Sequence, residues 1–157
     1  MLMETAQNIT TSMPSFEIRI EEQKDGPRIL IVEDDELLKV LWSYIIHQAD
    51  HNAQISWAST EPEGEKLLQQ SFKNGEEYDL VISDIFLSGS KTGIELWSQF
   101  HEKLEGKMIM TSGIDYSKYV KQLKFTHIPY TPLYLQKPLE MDDCINIVQY
   151  VLHKNEA

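Results

Sequence analysis

Four of the short apolar runs in this 157-residue sequence are followed at once by residues that could act on a phosphate or hold a metal ion. These residues are Glu33-Asp34-Asp35, Asp84, Thr111-Ser112-Gly113 and Lys137-Pro138. If the runs are parallel strands of one sheet, their carboxyl ends meet at one edge. The sequence then predicts a single site built from carboxylates, hydroxyls and an ammonium.

Clustered carboxylates need a positive partner. Two of them about 4 Å apart repel by about 4 kcal/mol at an effective dielectric constant of about 20. A hard divalent cation with oxygen ligands relieves this, and Mg²⁺ suits a small site because it keeps several waters. Lys137 adds a point charge for a phosphate, and Ser112 or Thr111 adds a hydroxyl donor.

Asp84 is the best candidate for a nucleophile. Phosphoryl transfer depends mostly on positioning and charge neutralisation, and an aspartate can itself attack phosphorus. Asp84 follows the most hydrophobic run, which we expect near the centre of the sheet. The acidic loop would lie on one side of it, and the hydroxyl and lysine on the other.

The elements that must position these residues alternate between short apolar runs and amphipathic stretches, which is typical of βαβ units. The predicted strands are 28–32, 54–58, 78–83, 107–111 and 133–136. The predicted helices cover 37–46, 62–72, 93–104, 115–123 and 145–152. Five such units predict an α/β fold with an open, doubly wound sheet, which binds ligands at the carboxyl ends of its strands.

Residues 1–26 read as a polar N-terminal tail that ends in Asp25-Gly26-Pro27, before one domain at 27–157. Within the tail, residues 16–20 alternate apolar and polar side chains. That alternation is compatible with a short edge strand, a strand docked on a partner, or disorder. The sequence leaves these alternatives open.

Charge and composition exclude several classes of function. The net charge of −11 argues against direct binding of nucleic acid or acidic membranes. With no long apolar run and no secretory signal, we expect a cytoplasmic protein.

Cys144 is the single cysteine, so it forms no internal disulfide, and we interpret it as a small helix residue. His47 and His51 have zinc-compatible spacing but no third ligand, which favours a solvated surface.

Residues 29–36, 79–84, 110–113 and 134–139 resemble, in order, the receiver domain of two-component response regulators. The resemblance covers about residues 27–153 and is to the single-domain, chemotaxis or relay type. It implies a flavodoxin-like (βα)5 fold, with a five-stranded parallel sheet in the order 2-1-3-4-5.

The resemblance also implies a role for each matching residue. Glu33 and Asp34 would hold Mg²⁺ together with Asp84, the phosphoacceptor, and the backbone carbonyl of Phe86. The hydroxyl residue would be Ser112, with Thr111 as the alternative, and Lys137 would contact the phosphoryl group. Tyr134 matches an aromatic switch, and Pro138 a proline often joined to the lysine by a cis peptide.

By the same resemblance, the phosphoryl donor is a sensor histidine kinase or a histidine phosphotransfer protein. Phosphorylation would switch a face that binds an unidentified downstream protein, without a fused effector domain, and a homodimer remains open. We expect a phosphoacceptor signalling domain and no enzyme beyond self-catalysed phosphotransfer and slow autodephosphorylation.

Three departures from the family pattern stand out. The loop after Asp84 reaches Gly93 one residue late, so residues 87–93 are expected to be reshaped. Residues 125–132 are longer than usual before the last strand, which predicts an unusual partner. Phe86 replaces a residue that is often polar and orients water, which predicts slow hydrolysis of the aspartyl phosphate.

Three other functions compete with this reading. A receiver-like scaffold that no longer takes phosphate would keep only its interaction surface. A magnesium-dependent phosphatase with an aspartate nucleophile commonly has an acidic residue where Phe86 stands, which disfavours it. A flavin carrier needs hydroxyl and glycine donors after the first strand, where this sequence has carboxylates.

Overall fold

The structure, a computed structural model, describes residues 25–86 and 92–154. The strands are β1 (Arg28–Val32), β2 (Gln54–Ala58), β3 (Leu80–Asp84), β4 (Met108–Ser112) and β5 (Leu133–Gln136). The helices are α1 (Glu36–Ala49), α2 (Glu61–Asn74), α3 (Gly93–Leu104), α4 (Tyr116–Lys124) and α5 (Met141–Lys154). The predictions for residues 16–20 and for most of the loop 87–93 fall outside the described residues.

All five strands are parallel, and their order is β2-β1-β3-β4-β5. This confirms the predicted flavodoxin-like, doubly wound α/β fold and the central place of β3. The chain leaves β1 for β2 on one side and returns to β3 on the other. A crevice therefore opens at the carboxyl ends of β1 and β3, where ligands bind in such sheets.

Helices cover both faces of the sheet. On one face Ile29 and Ile31 pack with residues of α1 and α5, among them Trp42 and Val148. On the other face the alternate β1 residues pack with α2, α3 and α4, through Leu68, Leu96, Trp97 and Tyr119. Because β3 and β4 are buried on both faces, they read as continuous hydrophobic runs.

Two strands extend further than predicted. β3 ends at Asp84 and β4 at Ser112, one residue beyond the predicted ends. The backbone ladder continues past the apolar residues because Ile85 N–H donates to the Thr111 carbonyl (2.9 Å) and Lys137 N–H to that of Ser112 (2.8 Å). The side chains of Asp84 and Ser112 therefore belong to the edge of the sheet itself. Helix α4 also lies one residue later than predicted at both ends.

Local chemistry explains where the helices begin and end. Asp35 caps α1 by accepting from the N–H groups of Leu37 (2.8 Å) and Leu38 (3.3 Å). Thr92 and Glu95 form a reciprocal capping box at the start of α3. Gly75 ends α2 in the left-handed conformation, with φ of 70°.

The long connection at 125–132 folds back against α3. The Tyr130 hydroxyl donates to the His101 carbonyl (2.8 Å), and its ring lies edge-on to Trp97 with 6.2 Å between centroids. His127 adopts a left-handed φ of 55° within this turn. The extra residues thus pack on a helix that precedes β4.

The smaller predictions have clear outcomes. Cys144 is buried in α5, and burial raises its thiol pKa to about 11, so it behaves as a small core residue. His47 and His51 are exposed, as predicted. Among the described helices, none combines the length and the apolar character needed to cross a bilayer.

Gly93 provides a test of this packing. A Cβ at Gly93 would overlap the Asp84 carbonyl oxygen and lie 2.8 Å from Ser83 Oγ, whereas a Cβ at Gly113 would meet no atom within 4 Å. We expect Gly93→Ala to lower the free energy of unfolding by about 1–3 kcal/mol. Gly113→Ala should change it by no more than about 0.5 kcal/mol. Because alanine is the better helix former, equal stability of the two variants in urea would contradict the close approach.

Candidate functional site

Three carboxylates converge at the crevice between β1 and β3. Glu33 and Asp34 follow β1, and Asp84 ends β3. One oxygen from each lies within 4.8 Å of the others, a spacing that a single metal ion can bridge. Glu33 and Asp84 are buried whereas Asp34 is exposed, so the cluster opens to solvent on one side.

Lys137 reaches this cluster from the end of β5. Its Nζ lies 2.8 Å from Asp84 Oδ2 and 3.5 Å from Glu33 Oε2. Burial alone would lower the pKa of Lys137, but the hydrogen bond and charge of Asp84, with those of Glu33, raise it above its usual value. The lysine therefore stays an ammonium, and its peptide bond to Pro138 is cis, as predicted.

The pKa of Glu33 shows the effect of burying these carboxylates together. Glu33 is 1% exposed, and burial is the main cause that raises its pKa above the usual value. The Asp35 N–H, which donates to Glu33 Oε1 (3.1 Å), and the charge of Lys137 oppose that rise, while the charge of Asp84 adds to it. One ammonium cannot balance three carboxylates, and the remaining charge matches a divalent cation with oxygen ligands.

The two oxygens of Asp84 have different partners. Oδ2 contacts Lys137, whereas Oδ1 accepts from the N–H of Phe86 (3.1 Å). Phe86 is 53% exposed as a residue, and its backbone N–H lies beside the carboxylate. The described groups at this edge that could bind a metal ion offer oxygen atoms, which suits a hard cation.

The two candidate hydroxyls differ in their surroundings. The Ser112 Oγ accepts from the N–H of Ile114 (3.3 Å), which leaves its own proton to donate. Thr111 is paired in register with Asp84, and its Oγ1 is buried without a hydrogen-bond partner within 25–86 and 92–154. Both residues lie at the carboxyl end of β4. Which of the two hydroxyls would contact a phosphoryl group remains a prediction.

Tyr134 connects this edge to α4. Its hydroxyl lies 3.2 Å from the Ser112 carbonyl and also contacts the Ile114 carbonyl. Its half-buried ring stacks on Tyr119, with 4.2 Å between centroids and 16° between planes. The pKa of the Tyr134 phenol is raised, chiefly by burial.

Tyr119 is a residue that the sequence reading did not single out. It is fully buried, and its hydroxyl donates to the Pro132 carbonyl (2.9 Å), which ties α4 to the long connection before β5. Tyr116 lies beside both rings, 6.0 Å from Tyr119 and 6.1 Å from Tyr134. The three-residue spacing of two tyrosines on α4 was the available signal.

Comparisons with known proteins agree with this geometry. The family model described as response regulator receiver domain matches residues 29–149. A curated relative, the two-component response regulator ARR12 of Arabidopsis thaliana, is 31% identical over 128 residues. That match covers 81% of this chain but only 20% of the relative, so the chain spans about a fifth of that protein.

Solved structures share the fold at low sequence identity. The non-phosphorylated HemR receiver domain from Leptospira biflexa has a TM-score of 0.63 and 22% identity, covering 81% of this chain and 94% of that one. The Mn²⁺-bound form of response regulator Rcp1 has a TM-score of 0.61 and 19% identity, covering 80% and 91%. The family model covers most of the chain and the sheet order agrees with it, so this chain belongs to the response regulator receiver domain family.

Proposed function

We propose that this chain accepts a phosphoryl group on Asp84 from a phosphohistidine donor, with Mg²⁺ held beside it. The observation that carries the proposal is the convergence of Glu33, Asp34 and Lys137 on the Asp84 carboxylate. Three carboxylates and one lysine rarely cluster at the mouth of a crevice when their role is only structural.

The metal would be held by Glu33, Asp34, Asp84 and the backbone carbonyl of Phe86, with water completing its shell. When bound, a divalent cation neutralises charge on the transferring phosphoryl oxygens and on the carboxylates that hold it. The Mn²⁺ named for Rcp1, a relative of the same fold, supports a divalent ion in such a pocket.

The transfer itself needs one new bond. An oxygen of Asp84 attacks phosphorus, the P–N bond to the donor histidine breaks, and the electron pair stays on the imidazole nitrogen. The imidazole leaves neutral when its other nitrogen carries a proton. The ammonium of Lys137 passes from the carboxylate to a phosphoryl oxygen, and the hydroxyl of Ser112, or of Thr111, donates to another.

The donor is a sensor histidine kinase or a histidine phosphotransfer protein, and the product is the chain phosphorylated on Asp84. Phosphorylation replaces the single negative charge of the Asp84 carboxylate with a phosphoryl group of about −1.5 to −2 charges, which biases the loop after Ser112 and the position of Tyr134. The face formed by α4 and β5 would then change its affinity for a downstream protein. We propose a phosphoacceptor that acts as a switch and does not turn over a substrate.

Phosphorylation can be tested with acetyl phosphate and Mg²⁺, read by intact mass. We expect the wild-type chain to gain one phosphoryl group and Asp84→Asn to gain none, because the amide is not a nucleophile. Asp35→Asn is a matched control next to the site, since asparagine also caps a helix. A mass gain on Asp84→Asn equal to that of the wild type, or no gain on the wild type, would contradict the proposal.

The cation site can be tested through stability. Because burial raises the pKa of Glu33, its ionised form costs free energy in the folded state at neutral pH. We expect Glu33→Gln to raise the free energy of unfolding in EDTA. Wild type should gain about 2.7 kcal/mol at Mg²⁺ a hundredfold above Kd, and Glu33→Gln much less.

Urea unfolding with and without Mg²⁺ measures both effects, and Asp35→Asn should respond to Mg²⁺ as the wild type does. An unchanged Mg²⁺ effect in Glu33→Gln would place the cation elsewhere.

The lifetime of the aspartyl phosphate tests the role of Phe86. Its exposed phenyl ring offers no polar atom to orient water beside Asp84, so we expect slow loss of phosphate. Phe86→Asn should accelerate that loss by roughly tenfold. Intact mass followed over time after removal of acetyl phosphate measures both rates. A wild-type half-life of seconds is incompatible with this reading.

A further inference from the structure

The solvent face of α4 carries a stripe of positive charge. Lys118, Lys121 and Lys124 are all exposed, and they follow one another at intervals of three residues. At about 100° per residue they fall on one side of the helix, opposite the buried Tyr119 and Leu123. Within the described part of the chain, none of the three lysines forms an ion pair. The stripe is therefore open to a partner.

The sequence around this stripe lacks opposing charge. Residues 116–139 contain four lysines and no carboxylate, although the whole chain has a net charge of −11. Asp115, directly before the helix, is the carboxylate nearest to the stripe along the chain. Because exposed charges more than about 8 Å apart are largely screened at physiological ionic strength, a ligand on α4 interacts chiefly with its lysines.

Helix stability alone does not explain the stripe. Lys121 and Lys124 are in the last turn of α4, where the helix dipole favours a cation. Lys118 is near the other end, where the dipole disfavours a cation, and the first turn holds no acidic residue. The three lysines together therefore do not serve the helix dipole.

An exposed aromatic residue ends the stripe. Phe125 follows α4 in a right-handed helical conformation, with φ of −69° and ψ of −17°, so it continues the rotation of the helix. That rotation places it on the same side as Lys118 and Lys121. Phe125 is 84% exposed, the highest value among the large hydrophobic residues that the structure describes. Aromatic residues are enriched at protein interfaces, so a phenyl ring beside three lysines suits a protein partner.

We propose that α4 binds a short acidic segment of a protein. Carboxylates of the segment would contact the three lysines, and a neighbouring apolar side chain would cover Phe125. An extended polyanion such as nucleic acid is disfavoured, because beyond α4 it would meet a surface that is negative overall. The distance from Lys118 to Phe125 along the helix is about 10 Å, so the contact is small, and its affinity should fall as salt is added.

Helix α4 is also connected to the carboxyl edge of the sheet. On its buried face, Tyr119 stacks on Tyr134. The Tyr134 hydroxyl in turn contacts the carbonyls of Ser112 and Ile114. The acidic partner rests on the proposed function, since α4 belongs to the face through which phosphorylation of Asp84 would act. Phosphorylation would then change the affinity of α4 for the acidic segment.

Titration of the full-length chain with a short fluorescent peptide of Asp, Glu and Leu, followed by fluorescence anisotropy, tests the proposal. We expect saturable binding that weakens as salt is added. Lys121→Glu should weaken binding by roughly fivefold or more, because it reverses the charge at the centre of the stripe. Lys66→Glu is the matched control, since it reverses an exposed helix lysine on α2, and it should stay within about twofold of the wild type.

Phe125→Ser tests the aromatic anchor and should weaken binding by roughly tenfold. All three substituted side chains are exposed, so the variants should keep the urea midpoint of the wild type. The titrations are repeated after treatment with acetyl phosphate and Mg²⁺, with the phosphoryl group read by intact mass.

Equal binding by the wild type and Lys121→Glu would overturn the proposal, as would equal binding of a peptide with Asn and Gln in place of Asp and Glu. Tighter binding of single-stranded DNA than of the peptide would assign the stripe to a phosphate backbone and also overturn it. Absence of peptide binding to a chain that has gained phosphoryl mass would overturn it while the proposed phosphoryl transfer stands. Binding that depends on Lys121 but not on phosphorylation would support the acidic partner and count against the proposed switch.

Discussion

The surplus of negative charge at the carboxyl edge of the sheet is the constraint on which the rest of the site depends. Glu33 and Asp84 are buried near the exposed Asp34, and one ammonium offsets only part of their mutual repulsion. The strands β1 and β3, buried at the ends that carry the site, keep these side chains together, because separating them would require breaking the sheet. Stability from the apolar core thus maintains a site that favours cations.

The Ser112 carbonyl lies where the site meets β5 and Tyr134. It accepts from the backbone N–H of Lys137 (2.8 Å) and lies 3.2 Å from the Tyr134 hydroxyl. The lysine that contacts Asp84 and the aromatic ring stacked on Tyr119 therefore share one acceptor. A shift of this strand end would therefore change both contacts together.

The sequence predicts the fold well because burial on both faces leaves continuous apolar runs, and because each run ends in a polar residue. It predicts the strand ends less well, since Asp84 and Ser112 look like loop residues but still pair in the ladder. Tyr119 escapes notice because an aromatic residue at helical spacing resembles ordinary core. The docking of Tyr130 on α3 depends on the path of a turn through His127, which no periodicity encodes.

The surroundings of Asp84 also restrict which of its neighbours can move. The residue after it, Ile85, is held on two sides. Its N–H donates to the Thr111 carbonyl and its carbonyl accepts from Gly93 N–H, both at 2.9 Å. Gly93 packs against the Asp84 carbonyl with no space for a side chain, so α3 cannot approach further. Among the described neighbours of Asp84, the Lys137 side chain and the loop after Ser112 are not restrained in this way. Both lead towards β5 and α4, so under the proposed function Tyr134 and Tyr119, and not α3, would respond to a change at Asp84.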